Sequence, residues 1–131
     1  MILVDSSVWI DFFNGVDSPP AEKLNQLLGN EMIVTGDLII VEVLQGFQSD
    51  SDFHQARKVL EELPLFNLCN KDLSIIAAEN YRALRKKGIT VRKNIDVIIG
   101  TFCVENRIHL LHHDRDFDPM EAYLGLQVIS C

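Results

Sequence analysis

Apolar positions along the chain fall into two kinds of run. Short, mostly apolar ones at residues 1–4, 32–35, 65–69, 108–111 and 126–129 have the length and bounding residues of buried strands. Between them, apolar residues recur at helical spacing. Val8, Trp9, Phe12 and Phe13 follow the good cap residues Ser6 and Ser7, and Asn14-Gly15 closes that helix. Ser18-Pro19-Pro20 opens a second helix with the stripe Leu24, Leu27 and Leu28, ended by Gly29 or Asn30. A third begins at Gly36-Asp37 and runs to about Gly46, although its apolar run also suits a strand. Ser51 and Asp52 cap a fourth, stopped by Pro64.

The clearest helical pattern covers residues 71–87. Leu73, Ile76, Ala77, Tyr81 and Leu84 share one face, and Gly88 is the stop. Asn94 is read as the cap of a helix so apolar (Ile95, Ile98, Ile99, Phe102, Cys103) that it is expected to be buried on most sides. A short helix at residues 119–124 precedes the last strand. Strands alternating with helices predict an α/β fold, a three-layer α/β/α sandwich around a mostly parallel sheet. A length of 131 residues predicts one domain, residues 1–131.

Composition adds limits. The hydrophobic and charged fractions, 47% and 24%, are those of a globular chain. No apolar run approaches the ~20 residues of a membrane span, and Asp5 and Asp11 interrupt the N-terminal apolar stretch, so neither a membrane anchor nor a signal peptide is expected. Cys69, Cys103 and Cys131 form neither a disulfide framework nor a zinc pattern, which points to a reducing cytoplasm. A net charge of −7 argues against gripping nucleic acid by bulk electrostatics. It leaves room for an enzyme that gathers carboxylates around a divalent cation, because the ion reverses the local field.

Four acidic positions stand out by context. Asp5 ends the first strand, Glu42 interrupts the apolar run 38–44, Asp96 begins the apolar helix, and Asp114 follows the fourth strand with Asp116 two residues on. Strand-to-helix junctions of a parallel sheet share one edge, where ligands bind. Asp5, Asp96 and Asp114 meet there if the first and fourth strands are neighbours, and Glu42 joins from the helix after the second. Anions packed so closely would have their pKa values raised. A hard cation such as Mg²⁺ or Mn²⁺ relieves this and activates water against a phosphodiester.

Each residue also has a plainer reading. Asp5 would cap a helix, Glu42 would face solvent, Asp96 would be a dipole-favoured first-turn acid, and Asp114 and Asp116 would be loop acids. Only the joint placement favours a site. His112-His113 beside Asp114 suggests a transition-metal site, but adjacent loop histidines rarely converge on one ion, so surface or supporting roles are preferred. Among the basic residues, Arg92 and Lys93 immediately precede the Asp96 helix and are placed to hold a nucleic-acid backbone. Arg115 is a further candidate. Trp9 and Phe13 are better read as packing groups than as base-stacking ones.

Taken together, the run Val4-Asp5-Ser6-Ser7-Val8-Trp9-Ile10-Asp11, then Val41-Glu42-Val43-Leu44-Gln45-Gly46, Asn94-Ile95-Asp96 and Asp114-Arg115-Asp116-Phe117 resembles the PIN domains, and within them the VapC-type toxin ribonucleases. The resemblance implies Mg²⁺- or Mn²⁺-dependent endonucleolytic cleavage of RNA by Asp5, Glu42, Asp96 and Asp114. It implies Asp116 as a further metal ligand or supporting acid, and Ser6 as a supporting hydroxyl. It also implies a homodimer and a cognate antitoxin whose tail covers the active-site groove. His112 stands where the family often has Thr, which leaves open what supports Asp114. The rival reading is a receiver-like signalling module with an acidic phosphorylation pocket. It wants an acid pair at the first strand end, which Asp5-Ser6-Ser7 does not supply, and a phosphoacceptor after the third, where Cys69-Asn70 stands.

Overall fold

The computed structural model describes residues 1–131. Four strands, β1 (Ile2–Val4), β2 (Ile33–Gly36), β3 (Leu65–Phe66) and β4 (His109–Leu111), form one sheet in the order β3-β2-β1-β4, and every pairing is parallel. The helices are α1 (Ser6–Phe13), α2 (Pro19–Leu27), α3 (Asp37–Leu44), α4 (Asp50–Glu61), α5 (Lys71–Lys86), α6 (Asn94–Asn106) and α7 (Asp118–Leu124). A 3₁₀ turn, Arg115–Phe117, leads into α7.

The central strands carry no polar side chain into the core except Thr35. Burial on both faces explains their unbroken apolar character. Ile2 pairs with His109 and Val4 with Leu111, and the Asp5 N–H donates to the Leu111 carbonyl at 2.9 Å. The condition that brings the acidic residues together, adjacency of the first and fourth strands, is therefore met.

Twenty-six buried apolar residues form one continuous core. Trp9 is fully enclosed and stacks on Phe13 with ring centroids 5.5 Å apart, and Phe47 meets Phe13 edge-on. Trp9 is thus a packing residue, out of reach of any ligand. α6 approaches α7 closely because Gly100 has no side chain: a Cβ there would press on the Met120 sulfur. No helix is long and apolar enough to cross a membrane.

Several expected boundaries move. Ser6 and Ser7 lie inside α1, whose N-cap is Asp5 itself. α4 is capped by Ser49, not by Ser51 or Asp52, since the earlier hydroxyl reaches the Asp52 N–H at 3.3 Å. Asn94 does not cap α6; Lys93 occupies that position without a side-chain cap bond. The run at 126–129 makes only one isolated bridge, Leu110 with Val128, in place of a fifth strand. Leu110 alone exchanges backbone bonds with it, taking one from Ile129 and giving one to Gln127.

Candidate metal-dependent active site

β1 ends at Asp5 and turns at once into α1. The Asp5 Oδ2 accepts from the Ser7 N–H at 3.0 Å and from the Ser7 hydroxyl at 2.6 Å, while Oδ1 is buried with no partner. Asp5 therefore is both a helix cap and an acid with a free oxygen. Glu42, half-buried on α3, accepts from the Ser6 hydroxyl at 3.0 Å. Ser6 and Ser7 thus divide the work that the sequence assigned to capping: one holds Glu42, the other Asp5.

Asp96 lies in the first turn of α6 and is only 2% exposed, with its Oδ2 unpartnered. An ionised oxygen left so is costly unless a cation or proton meets it. Asp114 follows β4, and its Oδ1 accepts from the Asp116 N–H at 2.9 Å, fixing the 3₁₀ turn. Carboxylate oxygens of Asp96, Asp114 and Asp116 lie within 4.8 Å of one another.

Electrostatics ties the remaining acids to this group. Burial pushes the Asp96 carboxyl up to about 7, and Asp5, Asp114 and Glu42 push in the same direction while Lys93 opposes them. Burial also raises Asp5, against the hydrogen bonds from Ser7. Glu42 is raised by burial, then by Asp5 and Asp114, and is restrained by Ser6 and Lys93. Acids that raise one another's pKa across β1, α3, α6 and the β4 loop share one pocket.

This set fits a hard divalent cation. Every donor is an oxygen, the acids outnumber nearby cations, and two buried carboxylate oxygens have no partner in the protein. The two histidines go separate ways. The His112 Nδ1 accepts the Asp114 N–H at 3.2 Å and its ring packs on Phe117, whereas His113 pairs with Asp11 at 2.9 Å. His112 therefore braces the backbone of Asp114, the support that the departure from Thr had left open.

Arg92, read as a backbone-binding residue, is exposed and bonds Asp116 at 3.0 Å, with Asp114 at 3.8 Å. The Asp116 bond, with the nearby charge of Asp116 and Asp114, raises the guanidinium's already high pKa further. Lys93 stands next to it and acts on Asp96 and Glu42. Arg115 is exposed on the 3₁₀ turn. Sequence reasoning missed Ser7 as a site residue. Its hydroxyl also accepts the His113 N–H at 3.0 Å, linking the β4 loop to Asp5 across 106 positions of sequence, and no local pattern announces that contact.

Known proteins resemble this chain over nearly its whole length. A family model described as PIN domain matches residues 2–122. A VapC ribonuclease of Mycobacterium bovis, Mb1587, and ribonuclease VapC11 of Mycobacterium tuberculosis are each 31% identical over 132 aligned positions, covering 99% of this chain and 98% of theirs. Among solved structures, VapBC2 from Rickettsia felis, bound to a DNA fragment of its promoter, superposes with a TM-score of 0.78 at 16% identity, covering 98% of each chain. VapBC-1 from nontypeable Haemophilus influenzae gives 0.74 at 19% identity, covering 99% of this chain and 98% of that one.

Proposed function

This chain belongs to the PIN domain family, among the VapC ribonucleases, and from that premise we propose how its residues cut RNA. It is a metal-dependent endoribonuclease, the toxin of a toxin–antitoxin pair. The observation that carries the site assignment is the convergence of Asp5, Glu42, Asp96 and Asp114, with buried oxygens of Asp5 and Asp96 left unpartnered. Asp5, Asp96 and Asp114 would hold the ion, with Asp116 beside them. Mg²⁺ or Mn²⁺ suits the all-oxygen donors, and when bound it supplies positive charge that favours ionised water and a charged phosphate.

The chain's own groups do the rest. Ser6 fixes the carboxylate of Glu42, whose raised pKa suits taking a proton from the attacking water. Ser7 and His112 hold Asp5 and the Asp114 backbone in place. Lys93 and Arg115 are placed to meet backbone phosphates, and Arg92 joins them once it leaves Asp116. No side chain is required as a covalent nucleophile.

The antitoxin partner follows from the VapBC complexes that share the fold. The finer expectations are a homodimer and an antitoxin tail lying over the acidic pocket. The receiver-like alternative has no support beside a PIN match spanning residues 2–122. The test is RNA cleavage by Asp5→Asn and Asp96→Asn, with circular dichroism to confirm folding. Loss of Mg²⁺-dependent cutting in both is expected, and full activity in both would remove the assignment.

A further inference from the structure

One cavity lies outside the acidic pocket and has no assigned use. It is a groove of about 770 Å³ between α5 and the start of α6. Its lining is largely apolar and includes Ala78, Ile98 and the ring of Tyr81. Arg85 lies over the Tyr81 ring, 5.9 Å from its centroid. Its polar lining includes Arg82, Arg92 and Lys93, and no acidic residue lines it. That is unusual on a chain with a net charge of −7. The groove borders the acidic residues: Arg92, in its lining, bonds Asp116 at 3.0 Å, and the lining residues Lys93 to Ile95 lead directly to Asp96.

We propose that this groove is a nucleotide subsite: it seats the base of an RNA residue flanking the scissile phosphate, while Arg82, Arg92 and Lys93 hold the adjoining phosphates. The inference rests on the ribonuclease reading. A strand crossing the acidic pocket must leave it on some side. Towards α1 it meets the Asp11–His113 pair, which carries a carboxylate. Towards α5 it meets cations over an apolar floor, the combination by which single-stranded RNA is held: charge along the backbone, a flat surface for the base. The volume falls within the ~300–1,000 Å³ of small-ligand sites. Ala78 lines the groove with a small side chain, and a large one there would occupy part of the space.

Binding in EDTA separates this from catalysis. The probe is a single-stranded RNA of about ten nucleotides, a length typical of such sites, compared with the same oligonucleotide made abasic at successive positions. Ala78 is exposed on α5, so Ala78→Trp should fold, and thermal melting verifies it. It is expected to weaken RNA binding about tenfold, the usual scale for losing one base contact. One abasic position should weaken the wild-type protein similarly and leave Ala78→Trp unaffected. Arg82→Ala should lower the salt slope of binding by about 0.7, one phosphate on a single strand. Unchanged RNA affinity in Ala78→Trp and Arg82→Ala would overturn the subsite. So would a selective loss of antitoxin binding or of dimer in Ala78→Trp, which would make the groove a protein interface. A wild-type chain that binds no RNA in EDTA yet cuts it with Mg²⁺ would also overturn the subsite, whereas one that neither binds nor cuts RNA would overturn the ribonuclease reading beneath it.

Discussion

Asp5 and Asp37 stand at equivalent places, each where a central strand gives way to the helix that follows. Asp37 Oδ1 accepts from the Leu38 N–H at 2.9 Å and from the Leu68 N–H at 3.1 Å. It pins the chain leaving β3 against the end of β2. Gly36, just before it, has the Leu68 side chain where a Cβ would sit. Asp5 is also held by local bonds, yet one of its oxygens is buried and free, and other acids crowd it. Position at the sheet edge is common to both. What separates a structural carboxylate from a catalytic one is whether the oxygen left over is buried without a partner, and whether like charges share its pocket.

The largest expected break in this contrast comes from Asp96→Asn. RNA cleavage should fall about a thousandfold, the scale of removing one charged group from a phosphoryl site. The metal-free protein should melt no lower than wild type, because a buried acid crowded by others costs stability. Initial rates and thermal melts read both. Asp37→Ala should do the reverse. Two amides lose their acceptor, at about 2 kcal/mol, while cleavage per folded molecule stays within about threefold, by the same inference that Asp37 only braces the fold. Asp37→Asn, which keeps an oxygen, should recover most of that stability. Denaturant titration distinguishes them.

The pH dependence sharpens the comparison further. Asp96 is raised from 3.8 to about 7, so between those values the folded state holds the extra proton. The slope of unfolding free energy with pH is then negative. Without metal, stability should fall as pH rises from about 4 to about 7 and flatten above, by the same linkage. Mg²⁺ should stabilise most at the upper end, where its ligands are ionised. Asp96→Asn should flatten most of the slope, and Asp37→Asn should leave it. The smallest effect is expected of Ser7→Ala, a fewfold loss of cleavage with about 1 kcal/mol of stability, one hydrogen-bond network node. An unchanged rate would show that Asp5 keeps its place without the hydroxyl.

Much of the fold was legible because periodicity reports burial directly. α5 matched its pattern nearly to the residue, from Asn70 as cap to Lys86 as last helical position. Boundaries failed where several residues offered the same chemistry. Ser49, Asp50, Ser51 and Asp52 are all acceptable caps, and only tertiary packing chooses among them. The run at 126–129 has the apolar content of a strand but bonds only to Leu110, so it stays a single bridge. At the site, residue type and strand position pointed to Asp5, Glu42, Asp96 and Asp114. Ser7 was missed, and the contacts made by His112 and Arg92 did not emerge, because each depends on a distant or irregular segment.

The pairing of β1 with β4 carries a consequence for how such a protein is made. Ile2 pairs with Ile33 on one side, but its partner on the other side, His109, lies far along the chain. Contacts this remote in sequence form late and slowly. A fragment that stops before β4 leaves the outer side of β1 unpaired and lacks Asp114. The acidic pocket is therefore assembled by the docking of one remote segment, and no shorter stretch of the chain contains it.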